Sequence, residues 1–403
     1  MKERWEEKTL GELGTLTSSK RIYKKEYVSE GIPFYRSKEI KELAHERDIS
    51  LELFISKDRY TEIKSQFGIP QEGDILLTAV GTIGEMYVVK KNEPDFYFKD
   101  GNIMWLKNFS TLNTYYLRYA LLRYVEQLKE MSQGSAYSAL TIEKLKKYSI
   151  SVPSISEQEK IVAILNKTLA TIDQAKANIE KNIANAKELF QSKLNAIFSQ
   201  KGNGWRESTL GEICENLDSK RIPITKSKRV SGEIPYYGAS GIVDYVADYI
   251  FNEDLLLVSE DGANLLARTY PIAFSISGKT WVNNHAHALK FKNMTSQIFI
   301  KFYLNSIKLD TFISGMAQPK LNQRMLNSIP VPYPSIEIQE KVVFRIEKLS
   351  TQTKNINTQY QQKLFNLKEL KKSMLQKAFA GELTNKLAVG SPNSYRDQLA
   401  VNS

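Results

Sequence analysis

The sequence is poor in residues that build several common kinds of site. It has one cysteine, Cys214, among 403 residues, so no disulfide can form within the chain and a thiolate metal centre is not expected. No apolar run approaches the ~18 residues of a membrane-spanning helix. The charged stretch 1–10 lacks the apolar core of a secretory signal. Together these absences predict a protein of the reducing cytoplasm.

Motifs of common catalytic folds are also missing. There is no Gly-x-Gly-x-x-Gly loop, and no two prolines are adjacent, which excludes the Asn-Pro-Pro-Tyr signature of amino-methyltransferases. Gly278–Thr280 resembles the end of a phosphate-binding P-loop, but Ala273 stands where the first glycine is needed, so a turn is the better interpretation.

Histidine is scarce as well. His285 and His287 could face one side of a strand and bind a metal, but His45 and the single cysteine are the only other soft ligands. A general base also needs a nucleophile beside it, and no convincing one is apparent. We therefore expect no catalytic residue, no metal and no cofactor.

What the chain does have is positive charge. Its 56 lysines and arginines exceed its 45 acids, which gives a net charge of +11 and favours a polyanionic partner, nucleic acid before a membrane surface. Two runs, 19–25 and 219–232, contain cations and no acid. We predict that they contact phosphates, the alternative being that each is a solvated loop. Their cations are Lys20, Arg21, Lys24, Lys25, Lys220, Arg221, Lys226, Lys228 and Arg229.

The two basic runs lie at equivalent positions of an internal duplication. Thr9–Glu12 recurs as Thr209–Glu212, and Ser19–Ile22 recurs as Ser219–Ile222. Further along, the offset between the copies changes and then becomes constant, so each copy has a variable front part and a back part of fixed length. The front parts have the pattern of short strands and turns, and the back parts that of helices.

Apolar residues recur every three or four positions through residues 156–199, which predicts one long amphipathic helix. No proline or glycine interrupts it, and at 1.5 Å per residue it would be roughly 65 Å long. Ser156 is the predicted N-cap, with Glu159 completing a capping box. The apolar stripe contains Ile161, Leu165, Leu169, Ile172, Ala175, Ile179, Ile183, Ala186, Phe190, Leu194 and Ile197.

A second long helix is predicted over residues 337–380, with a less regular stripe. A helix with one narrow apolar stripe needs a partner. Because a folded domain lies between the two helices in the chain, we expect them to pack as an antiparallel pair. The alternative is that each helix packs on its own globular domain, and the distance between Ile179 and Tyr360 would separate the two arrangements.

This order of elements resembles the specificity subunit of type I restriction-modification systems. Each variable part is followed by a long helix that opens with Pro-x-Ile-x-x-Gln-Glu-Lys, and the resemblance covers the chain to about Leu383. The second copy departs in having Glu337–Gln339 where the first has Ser156–Gln158, which concerns the helix start. The resemblance is carried by Thr9–Glu12, Ile32–Tyr35, Gly73–Leu77, Gly81–Gly84, Pro153–Lys160, Tyr236–Ile242, Asn283–His287 and the matching second-half segments.

The resemblance implies an α+β fold in which two similar α/β target-recognition domains are separated by two long antiparallel helices, as a pseudo-two-fold repeat. The domains would be residues 1–155 and 200–336, the helices 156–199 and 337–382, and the tail 383–403. Each domain would bind one half of a split double-stranded DNA target, which would be asymmetric because the copies differ. Two methyltransferase subunits would dock along the helices, restriction (motor-nuclease) subunits would join them, and this chain would supply no catalytic residue.

Polar side chains near strand ends and tight turns are the candidates for reading base edges. Tyr35 and Tyr237 are alternatively core aromatics, Ser135–Ser138 alternatively cap the helix that begins near Thr141, and the Asn283 cluster alternatively satisfies buried backbone groups. The candidates are Tyr35, Arg36, Ser37, Lys38, Ser135, Tyr137, Ser138, Tyr237, Ala239, Ser240, Asn283, His285, Gln318 and Lys320.

Two other functions compete with a specificity subunit. One is a free-standing DNA-binding or RNA-binding protein, against which an exposed apolar surface on the helix pair would argue. The other is an enzyme with an unrecognised site, which nuclease or methyltransferase activity of the purified chain would reveal. The polar tail is either a disordered end or a short docking segment.

Overall fold

The computed structural model describes residues 5–80, 83–131, 140–200, 202, 204–315 and 317–384. They divide into unit 1, residues 1–177 and 363–403, and unit 2, residues 178–362. Three predicted contact residues, Ser135, Tyr137 and Ser138, and the tail from 385 onward lie outside the described residues. No helix among the described residues is both long enough and apolar enough to cross a membrane.

Unit 1 contains ten strands and five short helices among its described residues. The strands are β1 (Glu6–Thr9), β2 (Thr15–Thr17), β3 (Tyr27–Val28), β4 (Ile32–Tyr35), β5 (Phe54–Ile55), β6 (Ile75–Thr78), β7 (Met86–Val88), β8 (Tyr97–Phe98), β9 (Ile103–Lys107) and β10 (Ser149–Val152). The helices are α1 (Leu10–Leu13), α2 (Ser37–Ala44), α3 (Lys57–Phe67), α4 (Thr114–Met131) and α5 (Ile142–Lys146).

The strands of unit 1 form two four-stranded sheets and one two-stranded ribbon. The first sheet has the order β2-β9-β6-β7, the second β3-β5-β4-β8, and β1 pairs with β10. Strand β6 is buried on both faces, as its unbroken apolar run Ile75–Leu77 predicts. Gly84 has φ +97°, and a Cβ there would lie 2.4 Å from Val125, so the turn after β6 requires glycine.

The long helix α6 (Ile155–Ser199) carries the chain from unit 1 into unit 2, and the long helix α11 (Ile336–Phe379) carries it back. The strands of unit 2 are β11 (Trp205–Thr209), β12 (Glu215–Asn216), β13 (Ser231–Gly238), β14 (Gly241–Val246), β15 (Phe251–Asn252), β16 (Leu255–Ser259), β17 (Ala273–Ile276), β18 (Lys279–Val282), β19 (Ala286–Lys290) and β20 (Pro330–Pro334). Its short helices are α7 (Leu210–Ile213), α8 (Asn264–Ala267), α9 (Met294–Ser306) and α10 (Gln323–Asn327).

Unit 2 repeats the first sheet and the two-stranded ribbon of unit 1, while its second sheet has a different strand order. Its sheets have the orders β12-β19-β16-β17 and β14-β13-β18-β15, and β11 pairs with β20. The parallel pair β4–β8 of unit 1 recurs as β13–β18, while the other strand pairs within these sheets are antiparallel. The predicted α+β fold with an internal repeat is therefore confirmed. The units differ where unit 1 has α2 and α3 and unit 2 has the long hairpin β13–β14.

The two long helices pack antiparallel within each unit. In unit 1, Ile161 and Leu165 share a core with Phe379, and Ile172 lies beside Leu364 and Leu375. Unit 1 therefore contains the beginning of α6 and the end of α11. Later residues of α6 lie beside earlier residues of α11, so the two helices run antiparallel.

Unit 2 holds the opposite ends of the same helices. Leu194 and Phe198, near the end of α6, share a core with Val342, Val343 and Ile346, near the beginning of α11. Each long helix therefore contributes to both cores, and the alternative of packing only on its own domain is wrong.

The repeated Gln of the helix-start motif is buried in both copies. Gln158 accepts a hydrogen bond from Asn113 N–H (2.7 Å) and donates to the Pro153 carbonyl (2.9 Å). Gln339 donates to the Pro334 carbonyl (2.8 Å) and accepts from the Ser296 hydroxyl (2.8 Å). The motif thus fixes the chain that leads into each helix.

The prediction that Ser156 caps α6 is wrong. The helix begins at Ile155, and the carbonyl of Ser154 already accepts from Gln158 N–H at 2.9 Å. Ser156 therefore lies inside the first turn.

Candidate nucleic-acid interface

The basic segment of unit 1 is anchored by its backbone while its cationic groups face solvent. The N–H of Lys20 donates to the Tyr97 hydroxyl at 2.7 Å. Arg21 has 65% of its side chain exposed and donates at 2.7 Å to the carboxylate of Asp100, which is 16% exposed. All four predicted phosphate contacts of this unit are on its surface, namely Lys20, Arg21, Lys24 and Lys25.

Tyr35, predicted as a base contact or a core aromatic, belongs to the core. It is 5% exposed, and its ring stacks on Phe96 with the centroids 4.6 Å apart. Burial raises the pKa of Tyr35 to about 12. The hydroxyl of Ser37 is also buried. Neither side chain is in a position to reach a base edge.

Arg36 and Lys38, predicted as base contacts near a strand end, lie at the start of helix α2. Arg36 donates to Glu39 (2.6 Å) and to Glu52 (2.7 Å), and Lys38 pairs with the same Glu52 (2.6 Å). The hydrogen bonds from Lys38 and Arg36 lower the pKa of Glu52 to about 2. Two acids that the sequence analysis did not consider thus hold both cations against the helix.

The basic segment of unit 2 mixes free and engaged cations. Arg229 donates to Asp244 at 2.9 Å and lies over the Tyr236 ring, 4.3 Å from its centroid. This arginine is mostly buried and closes the segment onto the hairpin β13–β14. Three predicted phosphate contacts remain exposed, namely Lys220, Lys226 and Lys228.

Arg221 is the clearest departure from the predictions for this segment. Only 11% of its side chain is exposed, and its guanidinium donates to Glu260 (2.8 Å) and to the Ala286 carbonyl (2.6 Å). Its Nε lies 3.2 Å from the Asp218 carboxylate. The prediction of a phosphate contact at Arg221 is wrong because two buried acids draw the side chain inward.

His287 lies on the other side of the same acids, with 1% of its side chain exposed. Its Nδ1 is 2.5 Å from the Asp218 carboxylate and its Nε2 is 2.7 Å from the Leu321 carbonyl. Both ring nitrogens lie within hydrogen-bonding distance of oxygen atoms, so the ring is held at both ends. Burial acts to raise the pKa of Asp218, but the hydrogen bonds from His287 and from Ala288 N–H outweigh it and hold that pKa below its ordinary value.

Above this buried cluster lie side chains that reach solvent. His285 is exposed and pairs with Asp261 at 2.7 Å. Lys320, with 53% of its side chain exposed, pairs with Glu260 at 3.2 Å. Gln318 is exposed in the turn that precedes Lys320. The structure therefore brings three of the predicted contacts together at the end of β16.

The remaining predicted contacts of unit 2 lie beside this surface. Ser240 is exposed, and its hydroxyl donates to Tyr270 at 3.2 Å. The carbonyl of Ala239 accepts from the Ser259 hydroxyl at 2.5 Å. Asn283 is buried and accepts from His285 N–H at 2.8 Å, which agrees with its alternative role of satisfying backbone groups. Tyr237 is half-buried and its carbonyl accepts from Asn283 N–H at 3.0 Å.

The residues present do not form an evident cation site. His285 and His287, proposed as a pair, face different surroundings, one solvent and the other the core. Among the described residues, one group of three ligand types converges, Asp218, Glu260 and His287, but Arg221 already places its guanidinium against both carboxylates. The guanidinium of Arg221 thus already supplies positive charge beside these carboxylates.

The thiol is equally unsuited to binding a metal. Burial, together with the nearby Asp218 carboxylate, raises the pKa of Cys214 to about 12, so it stays protonated near neutral pH.

The acids that position these cations were not among the residues predicted from the sequence. Asp218 stands directly before the repeated Ser-Lys-Arg-Ile segment, and Glu260–Asp261 directly follows the apolar run of β16. Those two placements were the available signal. A single sequence does not distinguish a buried acid from an exposed one, so the partners of Arg221 became visible only in the fold.

A family model described as the type I restriction modification DNA specificity domain matches the chain twice, over residues 2–185 and 202–365. The repeated fold and its basic surfaces therefore define a protein with two DNA-specificity domains. The chain belongs to the family of type I restriction-modification specificity subunits.

Curated relatives agree with this assignment. A putative type I restriction enzyme specificity subunit of Haemophilus influenzae is 35% identical over 144 residues, which is 36% of this chain and only 37% of that relative. The EcoprrI specificity subunit of Escherichia coli is 24% identical over 348 residues, covering 83% of this chain and 84% of the relative.

Solved structures share the fold. A chain from a study of complex assembly and conformational transition of the type I R-M system superposes with a TM-score of 0.73 at 16% identity, covering 94% of this chain and 99% of that one. The HsdS subunit from Thermoanaerobacter tengcongensis superposes with a TM-score of 0.55 at 17% identity, covering 95% and 98%. At these identities the likeness establishes the fold alone.

Proposed function

We propose that this chain reads a split, asymmetric double-stranded DNA target, with one half bound by each unit, and supplies no catalytic group itself. The observation that carries the proposal is that the two units share the topology of the first sheet and the ribbon but have different side chains at corresponding positions near their basic surfaces. A shared topology gives both units the same way of approaching DNA. Different side chains on that topology give them different base preferences.

The exposed cations supply affinity in this proposal, and the polar groups at the end of β16 supply discrimination. Lysines facing solvent neutralise phosphates without reading sequence. Arg36, Lys38 and Arg229 are held by acids and serve to shape the surface. The proposed phosphate contacts are Lys20, Arg21, Lys24, Lys25, Lys220, Lys226 and Lys228, and the proposed base contacts are Ser240, His285, Gln318 and Lys320.

We also propose that two copies of a methyltransferase subunit dock on the long helices, with restriction subunits joining that assembly. Apolar side chains that the core does not need recur at matching positions of the two copies. Ile155 and Ile336 are 47% and 37% exposed, and Leu189 and Leu370 are 57% and 45% exposed. An exposed apolar pair that occurs once per copy fits a partner that binds twice.

The first experiment is co-purification of the chain with the products of its neighbouring genes, followed by mapping of modified bases in DNA exposed to the assembly. Two methyltransferase copies per chain and an asymmetric split motif are expected. A chain that purifies alone and leaves DNA unmodified in the presence of those products would contradict the proposal.

The docking surface has its own test. Ile155→Asp is expected to reduce the bound methyltransferase from two copies to one, and the double variant with Ile336→Asp to remove both. Phe344→Asp is the matched control, because Phe344 is 69% exposed on α11 but has an alanine, Ala163, at its counterpart. Equal loss in all variants, by native mass spectrometry, would contradict docking at the repeated positions.

A further inference from the structure

The buried ionic cluster of unit 2 replaces apolar core in unit 1. In unit 1, Leu77 on β6 faces Met104 on β9, and in unit 2 Val258 on β16 faces His287 on β19. The next turn confirms the correspondence, because Ala79 N–H donates to the Asn102 carbonyl (2.8 Å) as Glu260 N–H donates to the His285 carbonyl (2.9 Å). His287 thus stands where unit 1 has methionine, and Glu260 where unit 1 has alanine.

Asp218, the other acid of the cluster, follows the same pattern. Asp218 matches Ser18 at the offset of the Ser-Lys-Arg-Ile repeat. The Ser18 hydroxyl donates to the Ile103 carbonyl at 2.9 Å, so it ties the segment to β9 with a neutral hydrogen bond. The Asp218 carboxylate instead accepts a hydrogen bond from Ala288 N–H, which ties the segment to β19. The same carboxylate also contacts Nδ1 of His287.

Stability alone does not account for this exchange. Buried ion pairs are on average no better than well-packed apolar residues of similar volume, because the charges must first lose their hydration. Unit 1 demonstrates that the same strands pack with Met104 and Ala79 at these positions, which are 5% and 3% exposed. The charged set therefore points to a requirement other than folding.

The cluster joins four separate segments of unit 2. Arg221 connects the basic segment to Glu260 and to the carbonyl of Ala286. His287 connects β19 to the carbonyl of Leu321. Glu260 reaches Lys320 with its carboxylate and receives Leu321 N–H at 2.8 Å on its carbonyl. These are the segments that present His285, Gln318 and Lys320 to solvent.

We infer that Asp218, Arg221, Glu260 and His287 are positioning residues that hold the DNA-reading surface of unit 2 without contacting DNA. This inference rests on the proposed function. It assigns Arg221 a role opposite to that of its sequence neighbour Lys220, which is exposed and contacts phosphate in the same proposal.

The salt dependence of binding separates these roles. Each phosphate contact contributes about 0.9 to the slope of log K against log salt concentration on duplex DNA. Lys220→Gln is therefore expected to reduce that slope by about 0.9 on a 40-base-pair duplex of mixed sequence. Arg221→Gln is expected to leave the slope unchanged and to reduce the preference for the mapped target over the mixed duplex about tenfold, the discrimination lost with one good base contact.

A second variant covers the case in which Arg221→Gln does not fold. Replacing the cluster by the residues of unit 1, as Asp218→Ser, Glu260→Ala and His287→Met together, removes both buried acids and the histidine. Arg221 then has no buried acid to hold it, so its side chain can turn to solvent as Arg21 does. It is expected to fold, to keep binding the mixed duplex, and to relax the modified motif at one half of the target only. The corresponding readout is motif mapping with the full chain in its purified assembly.

The outcomes are distinct. A slope that falls by about one in Arg221→Gln, or a triple variant with an unchanged motif, overturns the positioning role while leaving the proposed function intact. A wild-type assembly that binds the target and the mixed duplex equally overturns the proposed function and the inference with it.

Discussion

The segments Ser19–Ile22 and Ser219–Ile222 are identical in sequence but lie in different environments. Arg21 is largely exposed and meets one acid at the surface, whereas Arg221 is largely buried between two acids. The difference arises outside the segment, at the residue before it and on the strands behind it. A repeated motif therefore preserves the path of the chain, while the residues packed against it decide whether a cation faces DNA or the interior.

The largest expected effect separates the two arginine environments by stability. Asp218→Asn leaves Arg221 and His287 buried with Glu260 as the remaining carboxylate of the cluster, and removing one partner of a buried pair costs up to about 3–5 kcal/mol. Asp100→Asn is the control, and since Arg21 is exposed it is expected to cost much less. Hydrogen exchange read on β16 and β6 reports each unit separately. Equal loss of protection in the two variants would mean that burial does not distinguish the pairs.

The pH dependence follows from the sign of the shift at Asp218. Because its pKa is lowered in the folded state, its charge contributes stability above the ordinary pKa of an aspartate, and that contribution is lost as the pH falls through the lowered value. The difference in urea unfolding midpoint between wild type and Asp218→Asn is thus expected to be largest near neutral pH and to become smaller in acid. A difference that grows on acidification contradicts the charged pair.

The repeated glutamines offer a comparison of intermediate size. Gln158→Ala leaves a backbone N–H and a carbonyl without their buried partner, which costs about 1–3 kcal/mol. Gln339→Ala is expected to cost less, because the Ser296 hydroxyl that it frees also lies 2.9 Å from the Tyr333 hydroxyl. Urea unfolding of the two variants checks the order of these costs. The reverse order would show that Tyr333 does not replace Gln339 as the hydrogen-bond partner of Ser296.

The smallest effect on stability concerns the exposed lysines. Lys24→Gln in unit 1 and Lys226→Gln in unit 2 are each expected to change the unfolding free energy by less than about 0.5 kcal/mol. Each should nevertheless reduce the salt slope of DNA binding by about 0.9. Fluorescence anisotropy titrations at several salt concentrations test this, and an unchanged slope in one variant would remove that lysine from the phosphate contacts.

The sequence predicted the repeat and the helices because both are periodic properties. The apolar spacing of Ile161 to Ile197 requires a helix, and the recurrence of Thr9–Glu12 at Thr209–Glu212 requires a second copy of the same unit. The N-cap of α6 was misplaced by two residues because Ser154 and Ser156 are both plausible caps, and only the backbone decides between them.

The partners of individual side chains could not be predicted from periodicity. Arg36 and Lys38 looked available because Glu52, which binds both, is separated from them by helix α2 and a loop. Arg221 looked like Arg21 because Glu260 and His287 come near it only when β16 and β19 pair. Contacts between residues far apart in the chain depend on the register of strands, which composition and spacing do not specify.

The measurement that tests the central claim most directly is motif mapping of modified DNA for wild type beside one variant in each unit, Lys20→Gln with Arg21→Gln in unit 1 and the triple replacement in unit 2. The proposal predicts a split asymmetric motif in wild type, lower overall modification with the motif retained in the unit 1 variant, and relaxation of a single half in the unit 2 variant. A continuous or symmetric motif, or relaxation of both halves together, would contradict the assignment of one half-site to each unit.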